Sequence, residues 1–176
     1  SQKTAHTAAY WNQHTTTQGI QGAYWLELAS TQQRMTTKIS GDATVDAVLY
    51  TIQRYFDGRL PLAQCLSLGC GEGRLERRMA QLGVFVECDA MDIADQSLAA
   101  AQDAARQAGY THIHYQVADL NKISATNIAH DAVWGTGAIH HIEQLEHLFG
   151  EVARALKPGG LFILDEYVGA SRFQFP

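Results

Sequence analysis

The sequence predicts an α/β fold, a doubly wound parallel sheet preceded by an N-terminal helical cap. From Leu60 onward, short apolar runs alternate with amphipathic helical stretches, the texture of βαβ units. The chain's 176 residues, 46% hydrophobic and 18% charged, are enough to bury one core. A glycine-rich turn follows the first run, and an aspartate closes each of the next two, so polar chemistry gathers along one edge of the expected sheet.

Residues 1–59 are expected to form the cap. Tyr10-Trp11 and Tyr24-Trp25 make this Thr- and Gln-rich stretch too aromatic for a solvated tail. Asp42 is read as the N-cap of a helix with the apolar face Val45, Val48, Leu49, Ile52 and Phe56, ended by Asp57-Gly58. Residues 60–176 are expected to form the core. Strand one is Cys65 to Leu68, and its helix shows Leu75, Met79 and Leu82 on one face before Gly83 stops it. Strand two lies in Val84 to Met91, followed by an Ala-rich helix from Asp95 to Ala108. Strand three is Ile113 to Val117 and strand four Ala132 to Trp134. The next helix is expected to bury Leu145, Leu148, Phe149, Val152 and Leu156, and Pro158-Gly159-Gly160 to turn into strand five, Leu161 to Leu164. The five strands predict the order 3-2-1-4-5, with a ligand crevice between strands one and four.

Composition narrows the partners. Eighteen acidic side chains against thirteen basic give a formal charge of −5, and no Lys/Arg run would track a phosphate backbone, so nucleic acid is not expected. Cys65, Cys70 and Cys88 lack Cys-x-x-Cys spacing and are odd in number, which fits a reducing cytoplasm better than a disulfide framework. No signal-like run opens the chain, and no stretch approaches the roughly 20 apolar residues of a membrane span. The histidines His6, His14, His112, His114, His130 and His147 form no metal-ligand spacing, so no metal is expected.

The chemistry starts at Gly69-Cys70-Gly71-Glu72-Gly73, where glycine permits positive φ and a close backbone approach to a nucleotide-like ligand. A dinucleotide fingerprint wants a small residue where Arg74 stands, and no Gly-Lys-Ser/Thr ending marks a P-loop. Asp92, nineteen residues past Gly73, stands where a carboxylate accepts the two ribose hydroxyls of an adenosine; an N-cap role is its alternative. Asp119 ends strand three on the same edge and suits an adenine amino group or an ordinary turn.

Together, CLSLGCGEGRLE, AMDIADQSLAAAQ, VADLN and HDAVWGTGAIHHIEQLEHLFGEVARALKPGGLFILDEY resemble the ordered motifs of class I S-adenosylmethionine-dependent methyltransferases, from about Leu60 to Tyr167. The resemblance implies a Rossmann-like fold and S-adenosylmethionine as cofactor. It also implies that Gly69, Cys70 and Gly71 pass the methionine part, Asp92 holds the ribose, Asp119 with Leu120 holds the adenine, Ile93 is among the cofactor-binding residues, and Gly135 lies beside the amino acid end. The sequence departs from the pattern twice. Ser67 replaces the usual Asp or Glu two places before the first glycine, and the family's final β-hairpin after strand five is absent from this chain.

Methyl transfer from a sulfonium is mainly alignment and water exclusion, although a hydroxyl acceptor benefits from a general base. His140 and His141 are the base candidates, with packing or a helix start as their alternative. Asp165, Glu166 and Tyr167 also reach the mouth, and Tyr10, Trp11, Tyr24 and Trp25 are candidates for lining an acceptor pocket. The acceptor is expected to be small or carrier-borne. A non-catalytic adenosyl-binding scaffold and a NAD(P)-linked oxidoreductase are the rival readings. The strand-five edge, uncharged over Leu161 to Leu164 with Val168, Phe173 and Phe175 beyond, predicts cover by a second copy or by a longer chain.

Overall fold

A computed structural model of the chain describes residues 2–15, 28–124 and 129–166. Strands β1 (Leu62–Leu68), β2 (Phe85–Asp92), β3 (Ile113–Val117), β4 (His130–Thr136) and β5 (Leu156–Asp165) form one five-stranded sheet. Its order is β3-β2-β1-β4-β5 and every pairing is parallel, as the alternating texture predicts. β1 is the central strand, with Cys65, Leu66, Ser67 and Leu68 all buried, because a parallel strand covered on both faces must be shielded at every position.

Alternate side chains of β1 feed the two faces of the sheet. Leu66 and Leu68 join Leu120, Val133, Ile139, Leu148 and Val152 in one core cluster. Ser67 turns toward α4 (Arg74–Gln81) and meets Glu76 there. The expected apolar face of α4 is corrected: the buried helix residues are Glu76 and Met79, while Leu75 and Leu82 are half-buried. A strand side chain able to hydrogen-bond, Ser67, lets a carboxylate occupy the inward position.

After β2, α5 (Asp95–Gln107) buries Ser97, Leu98, Ala101 and Ala105. After β4, a 3-10 turn (Ile139–His141) leads into α6 (Leu145–Ala155), which buries Leu148, Glu151, Val152 and Ala155. Leu145 and Phe149, expected inside, are exposed; Phe149 instead sets its ring edge-on to Phe162 at 5.6 Å. β5 begins earlier than expected, at Leu156. Its pairing with β4 steps from His130↔Leu156 to Ala132↔Leu161, so Pro158-Gly159-Gly160 is an irregularity within the strand rather than a turn ahead of it.

Residues 1–15 and 61–176 form one compact unit and residues 16–60 another. Helix α1 (Gln2–Thr15) therefore shares the unit of the sheet, apart from the rest of the expected cap. Asn12 ties it to α5, donating to Asp95 at 2.7 Å and accepting from the Gln96 amide at 3.2 Å. The second unit carries α2 (Ala29–Ser40) and α3 (Ala47–Phe56). The N-cap of α3 is Asp46, which accepts from the Leu49 amide at 2.8 Å. Asp42, expected in that role, folds back on Thr44 instead, accepting from both its amide and its hydroxyl. Tyr24, Trp25, Tyr167, Val168, Phe173 and Phe175 lie outside the described residues. No helix among the described residues is long and apolar enough to cross a membrane.

Candidate cofactor and acceptor site

The carboxyl ends of β1, β2 and β3 and the turn after β4 open onto a cavity of about 790 Å3, a size typical of cofactor sites. Gly69, Gly71, Asp92, Ile93, Asp119 and Leu120, six of the expected cofactor residues, line it.

The glycine turn makes the floor. Gly69 and Cys70 donate their amides to the Met91 carbonyl at 2.7 and 3.0 Å, pinning the turn to the end of β2. Gly69 has φ +71° and leaves no room for a side chain, since a Cβ there would lie 2.1 Å from the Ala138 Cβ. Gly71 has φ +52° and faces open space, so its bare backbone is presented to whatever occupies the cavity. Gly73 begins α4 at φ +69°, where a side chain would collide with Tyr115. Arg74, at the place of a dinucleotide fingerprint's third small residue, extends into solvent and pairs with Glu72 at 3.2 Å.

Asp92 lines the cavity and is not the N-cap of α5, a position held by Ala94. One oxygen accepts from the Gly71 amide at 2.8 Å and the other from the Ala94 amide at 2.9 Å, next to the first turn of α5. Each carboxylate oxygen has two lone pairs, so acceptor capacity remains toward the cavity. Asp119 accepts from the amide and side chain of Asn121, both at 3.1 Å, and pairs with Lys122 at 3.2 Å. Partial burial would raise its carboxyl, but these partners outweigh that and hold it below the usual carboxylate value. It is an acceptor at neutral pH.

The two histidines part company. His141 lines the cavity beside Trp11, with ring centroids 5.4 Å apart. Loss of solvent and then the neighbouring His140 lower its pKa against a small opposing pull from Glu166, so His141 is neutral at pH 7 and able to accept a proton. His140 turns from the cavity lining, its Nδ1 2.6 Å from Glu166. Glu166 also accepts the amides of Ala138 and Ile139, at 2.9 and 2.7 Å, and so fastens the whole turn to the end of β5. Burial would raise the Glu166 carboxyl, yet the His140 contact and the two amides hold it low.

Residues 66–164 match the family described as a methyltransferase domain. The chain belongs to the class I S-adenosylmethionine-dependent methyltransferases. This methyltransferase domain is 24% identical over 155 residues to a 27-O-demethylrifamycin SV methyltransferase of Amycolatopsis mediterranei, covering 86% of this chain and 52% of that protein. It is 32% identical over 104 residues to a malonyl-[acyl-carrier protein] O-methyltransferase of Methylovorus, covering 57% of this chain and 35% of that protein. Among solved structures, an S-adenosylmethionine-dependent methyltransferase from Mesorhizobium loti superposes with a TM-score of 0.54 at 30% identity, over 67% of this chain and 53% of that one. The chain thus spans about half, or less, of the length of these relatives.

Two expected residues of the methyltransferase domain stand back from the main cavity. Cys70 lines a smaller one beside it, and burial raises its thiol well above the ordinary value. Gly135 is buried in β4, where a Cβ would lie 2.6 Å from Ile139 and 3.0 Å from Leu164; its bareness lets the 3-10 turn close over β4. Sequence reasoning missed Asn121, whose side-chain oxygen accepts the amides of Glu143 and Gln144 at 2.9 and 3.1 Å and joins the Asp119 loop to α6. It also missed Thr7 in the cavity wall. The spacing of Asn121 from Asp119 was visible, but its partners lie 22 and 23 residues away.

Proposed function

We propose that the cavity holds S-adenosylmethionine and that the chain transfers its methyl group to a small or carrier-borne acceptor entering beside Trp11 and His141. One observation carries this reading: an open, positive-φ glycine at the end of β1 and two acceptor carboxylates at the ends of β2 and β3 line the same cavity. Bare backbone plus spaced acceptors fit an adenosine with its ribose diol and exocyclic amine. Similarity to a 27-O-demethylrifamycin SV methyltransferase and to a malonyl-[acyl-carrier protein] O-methyltransferase supports the acceptor class. Three cysteines, odd in number and without Cys-x-x-Cys spacing, fit a reducing compartment such as the cytoplasm.

When bound, the cofactor supplies an electrophilic methyl on a sulfonium. Asp92 accepts the ribose hydroxyls while its amide partners, Gly71 and Ala94, keep the carboxylate aimed. Asp119 accepts the adenine amine, held by Asn121 and Lys122. Ile93 and Leu120 line the same cavity and would offer apolar surface to the cofactor, and Leu120 is fixed in the core cluster. His141, neutral at pH 7, takes the proton of a hydroxyl acceptor, and Trp11 beside it excludes water from the acceptor side. His140 and Glu166 act through the turn they hold, as positioning residues.

The test follows release of S-adenosylhomocysteine from S-adenosylmethionine with hydroxyl-bearing small molecules and with carboxylates on an acyl carrier. Turnover that falls at least about tenfold in kcat/KM in Asp92→Ala is expected, from loss of a charge-assisted contact. Tight cofactor binding with no turnover on either acceptor class would favour the non-catalytic scaffold.

A further inference from the structure

Glu76 is only 1% exposed, yet Oε2 of its carboxylate has no hydrogen-bond partner, while Oε1 bonds the Ser67 hydroxyl. A buried unpaired carboxylate oxygen is costly, and native cores rarely keep one without a use. Its surroundings point to that use. Glu76, Ser67, Gly69, Cys70 and Thr136 line a cavity of about 280 Å3 that shares Gly69 with the larger one. Arg74 lies on the same cavity's wall. That arginine is already paired with Glu72, which lines the same cavity, so the open acceptor is the buried Glu76 Oε2, and a small space beside it next to the glycine turn matches an ammonium group.

Position 67, where the family pattern has an acid, carries Ser67, and the structure brings a carboxylate to that same point from the first turn of α4. We propose that Glu76 replaces the absent acid at position 67 and accepts the ammonium of the cofactor's amino acid end in this smaller cavity, a reading that rests on the cofactor assignment above. Burial raises the Glu76 carboxyl, and Asp92 adds to the rise, against the Ser67 hydroxyl, its own amide and Arg77. Cys70, Cys88 and Tyr115 are the other titratable groups in its field. A cation arriving at Oε2 would favour the ionised form.

The probes are S-adenosylhomocysteine, which carries the amino acid end, and 5′-methylthioadenosine, which lacks it. Dissociation constants for both are measured by calorimetry on the parent chain, on Glu76→Gln and on the relocated pair Ser67→Asp/Glu76→Ala. The parent should prefer S-adenosylhomocysteine. Glu76→Gln keeps an acceptor for Ser67 but loses the charge, so the preference should shrink about tenfold or more, with 5′-methylthioadenosine affinity unchanged within about twofold. The relocated pair should restore the preference, and it decides the matter if Glu76→Gln does not fold. An unchanged ratio in Glu76→Gln, or a relocated pair without preference, overturns the assignment. A folded parent that binds neither nucleoside overturns the cofactor reading instead.

Discussion

Replacing Gly69 with alanine should damage the domain through one identifiable atom pair. The new Cβ would lie 2.1 Å from the Ala138 Cβ, whereas two carbons rest at about 3.5–4.0 Å, so the glycine turn and the turn after β4 must separate by about 1.5 Å. Overpacking of that order costs about 1–3 kcal/mol. The backbone at φ +71° adds about 1–2 kcal/mol for a residue with a Cβ, giving a total of about 2–5 kcal/mol. Gly71→Ala is the control: at φ +52° with nothing near its Cβ, it carries only the backbone part, about 1–2 kcal/mol. Removing the opposing atom with Ala138→Gly should relieve the clash, because the next atom, the Ala138 Cα at 3.6 Å, is at ordinary contact distance. Urea unfolding of the two single variants and the double variant should therefore give a favourable coupling of about 1–3 kcal/mol between positions 69 and 138. Additive effects, within about 0.5 kcal/mol, would show that the two turns do not touch as described.

Three further outcomes follow from the charges. Glu166 is held below its ordinary pKa, so its contribution is present above about pH 4.3, the unfolded value, and is lost as pH falls through the folded value; the melting temperatures of the parent and Glu166→Gln should differ at pH 7 and converge in acid. Glu76 has the opposite sign. Its raised pKa means the folded state binds the extra proton, so the parent should lose stability relative to Glu76→Gln as pH rises above about 4.3, and a difference that stays flat from pH 4 to 8 would contradict the burial described. His141→Asn should lower kcat with a hydroxyl acceptor by about 10²–10⁴ while leaving S-adenosylhomocysteine affinity in place, and equal loss on both would make His141 a binding residue.

Strand order and most of the cavity-lining positions were legible because they depend on local signals: period-two or continuous apolar runs, glycines at a strand-to-helix turn, and aspartates at strand ends. β3 begins and ends where the sequence predicts. The misreadings have a shared physical origin in partners distant along the chain. α4 has only 8 residues, too few for its own periodicity to choose a face, and Ser67 on β1 determined that Glu76 rather than Leu75 turns inward. Phe149 has helical spacing for the core, yet the described face of α6 meets the sheet through Leu148 and Val152, one position off its side. Asp42 and Asp46 are chemically identical caps, and the choice fell to Asp46 because Asp42 was taken by Thr44 two residues later. His140 and His141 are adjacent in sequence but differently placed, His141 lining the cavity and His140 held against Glu166, a partner 26 residues away that the sequence does not reveal.

A crystal structure of the chain with S-adenosylhomocysteine tests most directly the proposal that Asp92 and Asp119 face a single adenosyl group. Ligand density is expected in the cavity above Gly71, with ribose oxygens within about 3.2 Å of the Asp92 carboxylate and the adenine amine on the Asp119 side. Density placed elsewhere, or a nucleoside in the cavity with neither carboxylate in contact, would contradict it.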